Sequence, residues 1–142
     1  MEILSHVFLY SFLIKTAEGQ SVKDLRNMDI EYSKQNDYKI RIKEKSQISF
    51  IDISEILYFQ CEGYLTTIYL VNKTSIDVAK LLKEFEDELT KFGFLRVNHH
   101  TLINIRYINH LKICKQQRLI FINDIEIKIS RRKFHLLKGI LK

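Results

Sequence analysis

The hydrophobic pattern divides this chain into a weakly patterned start, a long strand-like stretch interrupted by one helix, and a helical end. Residues 1 to about 16 read as a short helix, with apolar side chains at Ile3, Leu4, Val7, Phe8 and Ile14. Residues 17–38 are polar and without clear period. From Lys39 the pattern alternates: Lys39 to Lys43 and Ile48 to Ile51 form a predicted strand pair around Glu44-Lys45-Ser46. Asp52 to Ile56 reads as one helical turn before a strand from Leu57 to Cys61. Glu62-Gly63 is a tight turn, and Tyr64 to Val71 is the partner strand. Val78, Leu81, Leu82, Phe85 and Leu89 then share one face of a helix, with Asp77 as N-cap and Gly93 as stop.

The apolar strand end Phe94, Leu95 and Val97 runs into Asn98, an N-cap type. This spacing predicts a short helix that starts with Asn98, His99 and His100 and carries the apolar turn Thr101-Leu102-Ile103. Strands His110 to Lys115, Arg118 to Ile122 and Ile125 to Ile129 follow, with turns at Gln116-Gln117 and Asn123-Asp124. Ser130 caps a terminal helix that buries Phe134, Leu137 and Leu141. Residues 39–142 are therefore mainly β, with small antiparallel strand pairs, one amphipathic helix and short helices. Residues 1–38 form a separate helical or linker segment.

Charge changes the picture. The formal net charge is +6, yet Met1 to Tyr38 holds four Lys/Arg against six Asp/Glu, so the remainder carries +8. A basic domain suggests an anionic partner. The sharpest local conflict lies at the terminal helix. A helix N-terminus carries a partial positive charge and unpaired N–H groups, so it favours acids. Here Arg131, Arg132 and Lys133 occupy the first turn. A helix start combined with cations suits a phosphate.

These residues carry a resemblance. Phe94-x-Arg96-x-Asn98-x-x-x-x-Ile103-Asn104, followed some 25 residues later by Ile129-Ser130-Arg131-Arg132, resembles the LytTR family. That family comprises the DNA-binding output domains of a class of bacterial response regulators. The resemblance runs from about Lys39 to the C-terminus. It departs at two positions, where the family most often has His for Asn98 and Ser for His100. It implies small antiparallel sheets whose loops enter DNA major grooves, and a cytoplasmic transcription regulator. The loop at Asn98, His99 and His100 would enter one groove, with His99 at a variable base-contacting position. An arginine just after Ser130, either Arg131 or Arg132, would read a base. The turn Glu62-Gly63-Tyr64, beside the Tyr58 and Tyr64 pair, would reach a neighbouring groove.

The chemistry of these side chains agrees. Imidazole donates to guanine N7 or O6, asparagine pairs bidentately with adenine, and arginine with guanine. The structural alternatives are a plain cap at Asn98, solvated histidines, a packed Tyr64, and salt bridges from Arg131 or Arg132 to Glu126 or Asp124. Lys133, with Lys128 and Lys138, adds an electrostatic footprint. Arg96 and Asn104 read as architectural. Family members commonly occupy paired direct repeats, which implies two copies on DNA. Receiver domains need far more chain than the 38 residues that precede the LytTR-like part, so a free-standing form is expected.

Other classes are less well supported. There is no Gly-rich phosphate loop, nucleophile elbow or His-x-x-x-His pair, so neither an enzyme nor a cofactor is expected. Neighbouring histidines on a helix point about 100° apart, so His99 and His100 make poor co-ligands for a metal. Cys61 and Cys114 are too few for a disulfide framework and read as buried thiols. The apolar run Ile3 to Ile14 is short of the roughly 20 residues that span a bilayer, and Glu2 replaces the basic flank of a signal peptide. Two rivals stay open. One is a β-rich domain for RNA or single strands, stacking bases on Tyr64, Tyr69 or Tyr107. The other is a protein-binding adaptor, membrane-peripheral through residues 1–14, the segment that is also the candidate contact for a protein partner.

Overall fold

The computed structural model describes residues 38–141. The expected N-terminal helix lies outside them. Ten strands and two helices follow in order: β1 (Lys39–Lys43), β2 (Ile48–Asp52), β3 (Ile56–Glu62), β4 (Leu65–Leu70), β5 (Ser75–Val78), α1 (Leu82–Leu89), β6 (Phe94–Asn98), β7 (Thr101–Asn104), β8 (His110–Cys114), β9 (Gln117–Ile122), β10 (Ile125–Lys128) and α2 (Arg131–Ile140). All strand pairs are antiparallel. They form a β1-β2 hairpin, a β10-β9-β8 sheet and a five-stranded sheet ordered β5-β4-β3-β7-β6.

The five-stranded sheet is the middle layer, covered on both faces. On one face Phe59, Ile68, Phe94 and Leu102 pack with Ile40, Ile42 and Ile51 of the hairpin and Leu82, Phe85 and Leu89 of α1. On the other, Tyr58, Leu95, Val97 and Ile103 pack with Ile120, Ile122 and Ile127 and with Phe134, Leu137 and Ile140 of α2. Double burial explains why the inner strands read as continuous apolar runs rather than alternations. In β3 Ile56, Leu57, Tyr58 and Phe59 are all buried, and in β7 all four residues are. A bulge between Ile56 and Tyr58 turns Leu57 and Tyr58 into the same cluster.

That burial overturns the short helix expected after Asn98. Thr101–Asn104 is a strand wedged between β3 and β6, and His99-His100 is the hairpin turn leading into it. The Asn98 signal is real but serves another purpose. Its Oδ1 accepts the His100 N–H at 2.8 Å, an Asx turn whose local chemistry matches an N-cap. The central helix also starts later than its periodicity suggests. Val78 is buried on β5, and Asp77 accepts the Thr67 hydroxyl at 2.7 Å across the strand pair instead of capping. The helix begins at Leu82, where the Glu84 carboxylate reaches back to the Leu81 N–H at 3.0 Å. A 3-10 turn, Thr90–Phe92, follows α1, and Gly93 ends that turn with φ of 87°, its carbonyl accepting the Ile105 N–H at 3.0 Å.

Smaller corrections follow the same logic. The β8–β9 turn is Lys115-Gln116, both with positive φ, one residue earlier than expected. Ile140 takes the buried place assigned to Leu141, which is partly buried. The thiols are not both buried: Cys61 is half-buried, and Cys114 is exposed because β8 is an outer strand with one face open. Asn123-Asp124 does turn β9 into β10, with Asn123 at φ 55°. No helix among the described residues is long and apolar enough to cross a membrane.

Asn104 is architectural, though it does not end a helix. It is buried, donates to Ile53 O at 3.4 Å and Ile56 O at 3.0 Å, and accepts the Arg106 N–H at 3.2 Å. It thereby secures the backbone that leads into the β3 bulge. Replacing it with Leu strands those polar groups, so Asn104→Leu is expected to lower unfolding stability by about 2–3 kcal/mol. Urea denaturation checks this; an unchanged midpoint would show that the Asn104 bonds are dispensable.

Candidate nucleic-acid interface

The register of β3, β7 and β6 decides where the sequence-derived residues meet. Gln60 pairs with Thr101, which brings the next residue of β3 beside the β6–β7 turn. There the Cys61 N–H donates to the His100 carbonyl at 2.9 Å, and Cys61 Sγ lies 3.9 Å from His100 Nδ1. A shallow depression lined by Gln60, Cys61, Glu62, Gly63, Tyr69 and His100 separates the two hairpin tips. At the β3–β4 tip Glu62 faces Leu65 across a two-residue turn. Gly63 takes φ of 62° at its first position, which favours glycine.

On its other side the β6–β7 turn is tied to the start of α2. The Asn98 amide donates to Lys128 O at 2.7 Å, and the Ser130 N–H donates to Val97 O at 3.0 Å. Ser130 then caps α2, its hydroxyl accepting the Lys133 N–H at 3.4 Å. Three segments far apart in sequence, 62–64, 98–100 and 130–133, are thus linked through one turn. His99, His100, Arg131, Arg132, Glu62 and Tyr64 are exposed. Tyr64 in particular is 88% exposed, so it does not pack.

The cations in this region differ in their freedom. Among the described residues neither Arg131 nor Arg132 forms an ion pair, and the salt bridges considered to Glu126 or Asp124 are absent. Lys133 is half-buried: desolvation pushes its amine pKa down, the Arg132 charge adds to this, and Glu86 acts the other way. Arg96 faces inward along the turn. Its Nη1 lies 3.2 Å from Glu86 Oε2 of α1, and its Nη2 donates to the His99 carbonyl at 2.7 Å.

Two features were not legible in the sequence. The helical pattern singles out no role for Glu86, and nothing local to Cys61 pointed to His100, 39 positions away. Chemically, the face offers imidazole and guanidinium donors beside a helix start, which suits an anionic polymer with readable base edges. Among the described residues no group of three or more His, Cys, Asp or Glu could hold a metal ion.

Comparison with known proteins gives the same direction. Residues 46–142 match the model of the LytTr DNA-binding domain. Over 108 residues the chain is 29% identical to the heme-containing CO-sensing transcriptional regulator RcoM 2 of Paraburkholderia xenovorans (strain LB400), covering 73% of this chain. It spans only 40% of the length of that relative. The solved LytTr DNA-binding domain from Bacillus cereus superposes with a TM-score of 0.59 at 16% identity, over 72% of this chain and 95% of that one. The strands, the linked turns and the family match agree, and the chain belongs to the LytTr DNA-binding domain family.

Proposed function

We propose that this domain binds duplex DNA sequence-specifically, as a cytoplasmic bacterial transcription regulator. One observation carries the reading: the β6–β7 turn and the capped start of α2 are bonded into one exposed surface whose arginines have no acidic partner among the described residues. Cations at a helix N-terminus are locally unfavourable, and a phosphate or base edge there removes the conflict. In this reading His99 and one of Arg131 and Arg132 read bases in one major groove, and the other arginine grips phosphate. His100 lies alongside. Lys133, half-buried, contributes charge rather than a contact of its own. The Asn98 amide is engaged inside the fold at both its ends, so we assign it to shaping the turn. Glu62 and Tyr64 at the β3–β4 tip reach toward a neighbouring groove, where Glu62 can accept from cytosine N4. Two copies on direct repeats complete the arrangement.

The arginines and His99 are separable by salt titration on specific and random duplexes. With about five Lys/Arg on phosphates, log affinity falls with log salt at a slope near −4.5, about −0.9 per contact. Of Arg131→Ala and Arg132→Ala, one is expected to weaken all sequences alike and flatten the slope by roughly one unit. The other is expected to cost about 1–3 kcal/mol on the specific site and relax one base pair. His99→Ala is expected to relax a different base pair. Melting temperatures stay level or rise slightly for the arginine variants, since each cation opposes the helix dipole by about 0.3–1 kcal/mol. Normal binding with lower melting in both would make them structural residues. Loss of binding to single-strand competitor would favour the RNA or single-strand reading.

The boundary is a separate proposal. The family match begins at residue 46 and the described fold at residue 38. A chain starting near Asn36 is expected to fold and to bind the same duplex. An unfolded circular dichroism spectrum from that chain would place the Ile3 to Ile14 segment in the core instead.

A further inference from the structure

A carboxylate beside a DNA-reading surface requires explanation, because it repels phosphate. Glu86 is such a group: its side chain is 25% exposed, as is that of its partner Arg96. The surrounding charges enclose it. Arg96 Nη1 sits at 3.2 Å from one carboxylate oxygen and Lys83 Nζ at 3.8 Å from the other. Glu86 also acts on the half-buried Lys133 ammonium from α2, favouring its charged form against desolvation and Arg132. One acid on α1 is therefore the anionic counterpart of cations from both reading elements.

Arg96 uses its fork in two directions at once. One nitrogen holds Glu86 and the other holds the His99 carbonyl at 2.7 Å. The peptide that leaves His99 is held at its other end by Asn98 Oδ1, which takes the His100 N–H, and the next carbonyl, that of His100, takes the Cys61 N–H. Among the described residues, the Arg96 bond is the one that holds the carbonyl end of that peptide. The two imidazoles stand edge to face with centroids 5.1 Å apart, so a rotation of that peptide would move both rings. Base reading tolerates displacement of about 0.5 Å, and a guanidinium can bridge two acceptors in a plane where an ammonium cannot.

We propose that Arg96, held by Glu86, is the positioning residue of the reading turn: it locks the His99 peptide and so aims the imidazole at its base. This rests on the DNA-binding reading above. It assigns a role to α1, which otherwise only fills the core, and it explains an acid tolerated near phosphate.

The test uses Arg96→Lys and Glu86→Gln in the full chain, each conservative enough to keep the fold. In free protein, hydrogen exchange at the His100 amide is expected to quicken about tenfold in Arg96→Lys, the equivalent of losing one hydrogen bond to a charged group. Amides of Phe59 and Leu102 in the buried strands should not change. On duplex, both variants are expected to relax preference by roughly tenfold at the same base pair that His99→Ala relaxes. The preference read by α2 should persist. Glu86→Gln additionally exposes a cation, which should steepen the salt slope by up to about one unit. If His100 exchange and base preference stay unchanged in both variants, the proposal fails. A uniform loss of affinity at every base pair, in step with lower melting temperature, also overturns it and leaves Arg96 as ordinary structural support. If the unaltered chain shows no duplex preference at all, the functional reading falls, and the exchange measurement alone decides whether Arg96 orders the turn.

Discussion

The fold depends on the two-sided burial of β3 and β7. A one-residue slip in a sheet sends every side chain to the opposite face. With Tyr58 and Ile103 in one core and Phe59 and Leu102 in the other, a one-residue slip of either strand would exchange its residues between the two cores. The fixed register has a consequence at the sheet's end. It sets Cys61 against His100, and the β6–β7 hairpin beside the β10–α2 junction. The proposed reading surface is thus not a set of independent loops but the end of one sheet together with the helix start bonded to it. Asn104, buried behind it, ties the bulge of β3 to the chain leaving β7 and protects the same register.

Electrostatics is arranged around this edge in opposition to local preference. Cations crowd the start of α2 where a helix prefers acids, and Glu86 stands near the turn where a polyanion would prefer none. Each anomaly is intelligible in terms of the other. Glu86 neutralises the inward-facing Arg96 and steadies Lys133, which leaves Arg131 and Arg132 as the outward charges. In the proposed reading, the inward cations position the turn and the outward ones make the contacts.

Much of this was legible in the sequence, and the failures have physical causes. Alternation found β1 and β10 because each has one open face. Ser130 gave away the cap of α2 because its hydroxyl does what the residue type suggests. The same logic failed at Asn98, where an Asx turn and an N-cap use one side-chain oxygen in nearly the same way. Thr101-Leu102-Ile103 has no alternation because both its faces are buried, so only tertiary context makes it a strand. Val78 extended the apparent helix because strand and helix feed the same core. The Arg96–Glu86 and Cys61–His100 contacts lay beyond reach, since they join positions 10 and 39 apart that no local period connects.

The central claim is that these linked turns read duplex sequence, and selection from a random duplex pool tests it most directly. The account predicts recovery of a defined motif in two direct copies, spaced by a whole number of helical turns of about 10 base pairs. It also predicts that the pool selected by His99→Ala loses information at one base pair of each copy, leaving the others sharp. Recovery of no motif, or of one that the His99 and arginine variants leave unaltered, would contradict it.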